Sequence, residues 1–164
     1  MDRDLIILEL KKYFDVREFV DQRTHRKHGE DSWQFFCTEL LHVILFARKG
    51  IDKPFTANNW HYAKQGAVIY DERGLRTNIC DIVKGKTDEG ILYLSGHPLG
   101  MALDFKVKGI PSDDVRQWFV DNADALPCKI RLENKVIFTG KTITWVHIDV
   151  KHVKRNPKVY LFNI

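Results

Sequence analysis

Residues 95–107 read "SGHPLGMALDFKV", a turn followed by an alternating run, and the way that run faces decides the fold. Successive side chains of a strand point to opposite faces of its sheet. Leu103, Phe105 and Val107 therefore share one face, and Ala102, Asp104 and Lys106 share the other. The first face is apolar and belongs to a core. The second carries a carboxylate where the floor of a cleft would hold one. "GILYLSG" at 90–96 is expected to form a strand leading into the turn, and "ALDFKVKG" at 102–109 a strand leaving it.

Downstream, Pro111 and Ser112 open a helix over "DDVRQWFVDNADAL", with acids in its first turn where the helix dipole favours them. "KIRLENKVIFTG", "KTITWVHIDV" and "PKVYLFNI" read as three closing strands, with turns at Gly140 and at Asn156-Pro157. Upstream, Trp33, Phe36, Leu40, Leu41, Ile44 and Leu45 recur at three- and four-residue steps. That spacing predicts a core helix over 33–49, capped by Asp31 or Ser32 and ended by Arg48, Lys49 and Gly50. "DLIILELKKYFDVREFV" opens the chain as a short helix followed by a turn at Asp15, and a short strand near Phe55 leads into a long shaped loop. No repeat, low-complexity tract or linker interrupts the 164 residues. The expectation is one α+β domain over 1–164, an antiparallel sheet with flanking helices.

Composition narrows the function classes. Hydrophobic residues make up 44% and charged residues 29% of the chain, values of a folded globular protein. The longest apolar run, "LLHVILFA", is too short to cross a bilayer, so no membrane insertion is expected. The start, "MDRDLIILELKKYF", places acids where a secretion signal needs cations. Cys37, Cys80 and Cys128 are an odd number without paired spacing, which reads as free thiols rather than a disulfide or cysteine zinc framework. A net charge of +4 suits a polyanion or merely a solvated surface, and nucleic-acid binding would rest on that charge and on "KHVKRNPK" alone; no nucleic-acid partner is expected. "HRKHGED" at 25–31 reads as a solvated loop, although His25 and His28 also have the spacing of a metal pair on a helix.

The chemistry concentrates elsewhere. Alternation through "TITWVHIDV" sets Trp145, His147 and Asp149 on one face and Thr144, Val146, Ile148 and Val150 on the other. If this strand lies beside 102–107, His97, Asp104 and His147 supply two imidazoles and a carboxylate, the ligand count of a catalytic zinc site with one open position. The plainer reading is a turn histidine, an aspartate paired with a lysine and a strand histidine packed beside Trp145.

Ser95, His97, Gly100, Ala102 and Asp104 fill all five fixed positions of S-x-H-x-x-G-x-A-x-D, and Trp145 with His147 fill a following W-x-H. A chance match to five fixed positions in a chain of this length is on the order of one in ten thousand. In these motifs the sequence resembles the zinc D-alanyl-D-alanine carboxypeptidases and L-alanyl-D-glutamate endopeptidases of bacteria and phages, which share the hedgehog/DD-peptidase fold. The resemblance extends to "YFDVREFV", "KGIDKPF" and "RGLRTN" and covers most of the chain. It implies one zinc ion on His97, Asp104 and His147 and hydrolysis of peptide bonds in peptidoglycan stems, by a monomer resembling a phage endolysin that is made in the cytoplasm and acts at the cell wall. It further implies that Arg76, with Arg73 as the alternative, binds substrate and stabilises the charge on the attacked carbonyl, and that Ser95 and Trp145 border the substrate. Ser95 is also expected to shape the turn by a hydrogen bond.

One position departs from the family pattern. Many members carry Glu or Asp three residues before the last ligand, where this chain has Thr144, which cannot act as a base near neutral pH. Asp149, on the face of His147, and Glu133, on the preceding strand, are the carboxylates that can replace it, while Asp149 can instead orient His147. Thr144 equally motivates a second reading, a non-catalytic zinc-binding relative serving as a peptidoglycan-binding or virion module. Trp60, His61 and His152 are candidate groove residues or solvated ones, and Trp118, spaced with Val115, is expected to pack.

Overall fold

The run from Ala102 to Val107 becomes a central strand because both of its edges find partners. In the computed structural model, which describes residues 1–135, 140, 143–151, 154 and 157–164, five α-helices and five strands are placed. The helices are α1 (Arg3–Leu10), α2 (Gln22–His28), α3 (Thr38–Ile51), α4 (Asp81–Asp88) and α5 (Ser112–Asp121). The strands are β1 (Phe55–Thr56), β2 (Ala102–Val107), β3 (Ile130–Glu133), β4 (Val146–Asp149) and β5 (Val159–Phe162), in the sheet order β1-β2-β4-β3-β5. His152, Asn156 and the continuation of the third-last strand through 136–139 lie outside the described residues.

Alternation sets the faces as expected. β2 pairs antiparallel with β4 in the register Leu103↔Ile148, Asp104↔His147 and Phe105↔Val146. Leu103, Phe105, Val146 and Ile148 are fully buried and join Leu40, Leu41, Ile44 and Phe119 in one core beneath the sheet. Phe105 stacks on Phe55 with ring centroids 4.6 Å apart, which fixes β1 against β2. α1 presents Ile6 and Leu10 to the same core and packs along α3.

The sheet is mixed, where an antiparallel one was expected. β4 has both edges filled, by β2 and β3, so β5 cannot pair with it and adds at the outer edge of β3. The chain reverses between β4 and β5, and since β4 is antiparallel to β3, that reversal sets β5 parallel to β3. The strand expected over 90–96 does not form. β1 and β4 occupy both edges of β2, so the segment cannot pair with the strand it leads to, and Ile91, Leu92 and Leu94 stand exposed.

The core helix begins later than its apolar spacing suggests. Trp33 and Phe36 belong to a 3-10 stretch (Gly29–Phe35) and its cap, and α3 starts at Thr38 behind Cys37. Neither Asp31 nor Ser32 caps it; the Cys37 N–H instead donates to the Gly100 carbonyl at 3.0 Å. Residues 25–28, expected in a loop, end α2, whose Asp21 cap accepts from Arg23 and Thr24. α4 was not anticipated. None of its residues is buried, and the Glu72 carboxylate caps it through the Asp81 and Ile82 N–H groups. The three cysteines are free, as expected, and Trp118 packs on Phe46. Among the described residues no helix is long and apolar enough to cross a membrane.

Candidate metal centre

Two loops and two strands converge on one point. The turn at 96–101 is closed by Met101 N–H to Gly96 O at 2.8 Å and Gly100 N–H to His97 O at 3.1 Å. Gly100 has φ +62°, and a Cβ there would stand 1.8 Å from the Phe35 carbonyl oxygen, so only glycine lets the turn dock on the end of the 3-10 stretch that precedes α3. That docking aims His97 inward. Across the sheet, Asp104 and His147 are direct partners on the face opposite the core.

His97, Asp104 and His147 are all buried, at 1%, 6% and 6% exposure, and offer ligand atoms within 4.8 Å of one another. His97 Nε2 lies 3.2 Å from His147 Nδ1 and 3.3 Å from Asp104 Oδ2, while His147 Nδ1 lies 2.7 Å from Asp104 Oδ1. A tetrahedral ion with bonds of about 2.0–2.1 Å separates its donors by about 3.3–3.4 Å, close to the first two spacings.

The outer ring nitrogens decide what the inner ones can be. His97 Nδ1 is 2.7 Å from the Gly74 carbonyl oxygen, which only accepts, so that nitrogen carries the hydrogen and Nε2 is left with its lone pair. His147 Nε2 is 3.1 Å from Asp149 Oδ2 and donates to it. With both imidazoles neutral, three lone-pair atoms face one another with no hydrogen between them. Only a cation resolves this, either a metal ion or a proton on His147 Nδ1. The group can therefore hold a metal ion, and its carboxylate–histidine and carbonyl–histidine pairs are the supports such ligands use.

The titration shifts agree. Burial lowers His97 below its usual value, despite the Asp104 charge beside it. Burial opposes charge on His147 too, but its bonds to Asp104 and Asp149 outweigh that and raise it to about 10. Burial alone would raise Asp104, yet the two histidines hold it well below the usual carboxylate range.

Around the cluster, the loop carrying the arginines is anchored by backbone. Leu75 N–H donates to Phe19 O at 2.8 Å, and Gly74 approaches that carbonyl so closely that a Cβ would meet it at 1.9 Å. Arg76 lies at the cluster: its Nη2 donates to Asp104 Oδ2 at 2.9 Å, Nε to Glu72 O at 2.7 Å and Nη1 to the Tyr93 hydroxyl at 3.1 Å. Arg73 does not reach it. Its guanidinium stacks 3.5 Å from the Tyr70 ring centroid, in a neighbouring cavity.

The two candidate bases part by environment. Both Asp149 oxygens are occupied, by Arg131 at 2.8 and 2.9 Å, by His147 Nε2 and by the Lys151 N–H. Despite burial, these bonds hold Asp149 below its usual value. Glu133 lines the same cavity, and the β3–β4 register, Arg131↔Asp149 then Leu132↔Ile148, leads it toward His147. Burial raises its carboxyl, which His147 lowers and Asp104 raises further.

Ser95 and Trp145 also line the cavity, but the Ser95 hydroxyl, expected to bond within the turn, is buried with no hydrogen-bond partner among the described residues. Among the described residues His25 and His28 join no group that could hold a metal; His28 packs on Phe35 and His25 near Trp60.

Comparison of the chain with family models, curated proteins and solved structures returns no match. Several residues at the site escaped sequence reasoning, among them Arg131, whose Nε and Nη2 hold Asp149. Arg116, buried in α5, donates to the Glu133 carbonyl at 2.7 Å, Ile143 O at 2.7 Å and Trp145 O at 2.5 Å, and so braces the ends of β3 and β4. Its signal was an arginine between Val115 and Phe119 on an apolar helix face. Tyr93, which holds Arg76, sat in a run read as a strand and carried no signal.

Proposed function

We propose that the protein is a zinc-dependent peptidase of the hedgehog/DD-peptidase type that hydrolyses peptide bonds in bacterial peptidoglycan. The observation that carries the reading is the buried His97–Asp104–His147 group, whose outer nitrogens are already committed and whose inner atoms face one centre. Two imidazoles and one carboxylate suit zinc, and leave a coordination position free for chemistry. The bound ion would supply Lewis acidity that makes water nucleophilic near neutral pH.

The chain's residues divide the remaining work. Glu133 takes the proton from the attacking water and returns it to the departing amine; its raised carboxyl brings it nearer to neutral pH, where a general base is most effective. Asp149 acts through His147, holding the ring by its Nε2–H. Arg76, fixed by Asp104, Tyr93 and the Glu72 carbonyl, sits where it can stabilise negative charge growing on the attacked carbonyl oxygen. The Trp145 ring borders the peptide, and Ser95 lines the same cavity with its hydroxyl buried. A protein acting so binds peptidoglycan stems at the cell wall, as a phage endolysin does.

The alternative, a non-catalytic zinc-binding module, rests on Thr144, which leaves the usual base position empty. Digestion of purified peptidoglycan with the zinc-saturated protein separates the two. New amino groups and shifted muropeptide masses are expected from wild type, lost in His97→Ala and reduced at least a hundredfold in Glu133→Gln. Zinc binding without new amino groups on any peptidoglycan type overturns the peptidase reading.

A further inference from the structure

The segment 90–96 joins no strand, yet it is held at three points. The Ile91 N–H donates to the Lys86 carbonyl at 2.8 Å, Lys151 Nζ donates to the Leu94 carbonyl, and the Met101 N–H donates to the Gly96 carbonyl at 2.8 Å. Ile91, Leu92 and Leu94 gain no burial from this anchoring. Tyr93 is the side chain that it places. The residue is half-buried and lines the cavity of about 440 Å³ that also holds His97, Asp104, His147 and Glu133.

What Tyr93 offers there follows from a count of hydrogens. Arg76 Nη1 lies 3.1 Å from the Tyr93 hydroxyl oxygen, and a guanidinium can only donate, so the phenol oxygen accepts. The phenol hydrogen is left over, and it has no partner among the described residues. Arg76 keeps hydrogens to spare as well. Of the five that a guanidinium carries, Nε–H goes to the Glu72 carbonyl, one Nη1–H to Tyr93 and one Nη2–H to Asp104 Oδ2. A hydroxyl that accepts from a charged donor is polarised and donates more strongly in turn. Tyr93 and Arg76 therefore set a neutral donor and a charged one side by side, and the bond from Arg76 to Asp104 fixes the pair against the metal cluster.

We infer that Tyr93 is a second hydrogen-bond donor to the attacked carbonyl oxygen, acting beside Arg76. This rests on the peptidase reading above. As the water oxygen bonds to the carbonyl carbon, the C=O electron pair moves onto oxygen, and the Tyr93 O–H donates to that oxygen without giving up its proton. A planar amide oxygen carries less charge than the tetrahedral one, so the hydroxyl favours the transition state over the substrate. A role confined to holding Arg76 needs only the lone pair of the phenol oxygen and leaves its hydrogen unused.

The test uses the full chain loaded with zinc and a phosphinate dipeptide, whose tetrahedral, negatively charged oxygens stand in for the attacked carbonyl. Tyr93→Phe keeps the ring and removes only the hydroxyl. It is expected to weaken phosphinate binding by about 100-fold and to lower kcat on stem peptides by a similar factor with KM little changed. Zinc affinity, read by competition with a chelator, should stay as in wild type. A loss of zinc affinity of about tenfold makes Tyr93 a support of Asp104 through Arg76 and overturns the inference. The deciding comparison is Tyr93→Phe in an Arg76→Ala background. A hydroxyl that touches the ligand still costs about fivefold or more in phosphinate affinity when it is removed there. A hydroxyl that only positions Arg76 costs nothing, and that result overturns the inference while leaving the peptidase standing. A wild-type chain that holds zinc but neither binds the phosphinate nor cuts peptide overturns the peptidase reading itself, and the role of Tyr93 with it.

Discussion

Binding of a metal ion to this centre should expel one proton at pH 7, and that proton should come from His147. In the metal-free protein His147 is raised to about 10 by Asp104 and Asp149, so at neutral pH its Nδ1 carries the hydrogen that a metal must displace. His97 is lowered by burial and is already neutral, and Asp104 is held ionised, so neither adds a second proton. One proton per ion means that affinity rises tenfold for each pH unit, about 1.4 kcal/mol, as long as the pH stays below the His147 value. Between pH 6.5 and 7.5 zinc should therefore bind about ten times more tightly.

Stability follows the same linkage with a definite sign. A raised histidine contributes stability that is complete below its unfolded value near 6.5 and is lost as pH climbs through about 10. The metal-free protein should lose melting temperature over that window. The metal-bound form has no such proton to lose, so the gap between the two should widen as pH rises. Calorimetric zinc titrations in buffers of different ionisation enthalpy count the protons, and melting curves from pH 6 to 9 give the gap. An affinity that is flat between pH 6.5 and 7.5, with no proton released, would refute the assignment of the inner nitrogens.

Exchanging the carboxylates should separate their roles. Asp149→Asn, which loosens the grip on His147, should cost roughly 10- to 100-fold in zinc affinity, whereas Glu133→Gln should leave zinc affinity unchanged and abolish hydrolysis; the reverse pattern in competition and activity assays would exchange the two assignments. Glu18, raised to about 7 by burial and then by the Asp15 charge, contributes stability below pH 4.5 that is lost as pH rises through 7. Glu18→Gln keeps the acceptor for the Asp15 N–H and should stabilise the protein at pH 8.5 by roughly 1–2 kcal/mol, discounted for partial exposure, but not at pH 4.5; equal denaturation midpoints at both pH values would count against it. Phe105→Ala empties the stack on Phe55 beneath Asp104 and should cost about 3–5 kcal/mol in chemical denaturation, and a loss under 1 kcal/mol would show that the core closes over the gap.

What could be read from the sequence, and what could not, divides by the range of the cause. Alternation is a property of a single strand. It placed Asp104 opposite Leu103 and Phe105, and His147 with Asp149 opposite Val146 and Ile148, and the β2–β4 register bears both out. Edges are a property of the whole sheet. "GILYLSG" has the composition of a strand but cannot pair with β2, whose edges are both filled, and β5, turned back after β4, runs parallel to β3. The 3-10 start before α3 belongs to the same class, since the carbonyl that receives the Cys37 N–H comes from Gly100 in the docked turn. The site repeats the division. Ligands two strands apart can be inferred from local spacing because each strand aims its own side chain. A general base has only to reach one point in space, and β3 offers Glu133 to it as well as the position of Thr144 on the last ligand's own segment would. Arg116 holds both segments through the Glu133 and Trp145 carbonyls, so in the proposed mechanism the base and the strand of the last ligand share one brace from α5. A threonine at the usual position therefore says nothing against hydrolysis until the neighbouring strand has been placed.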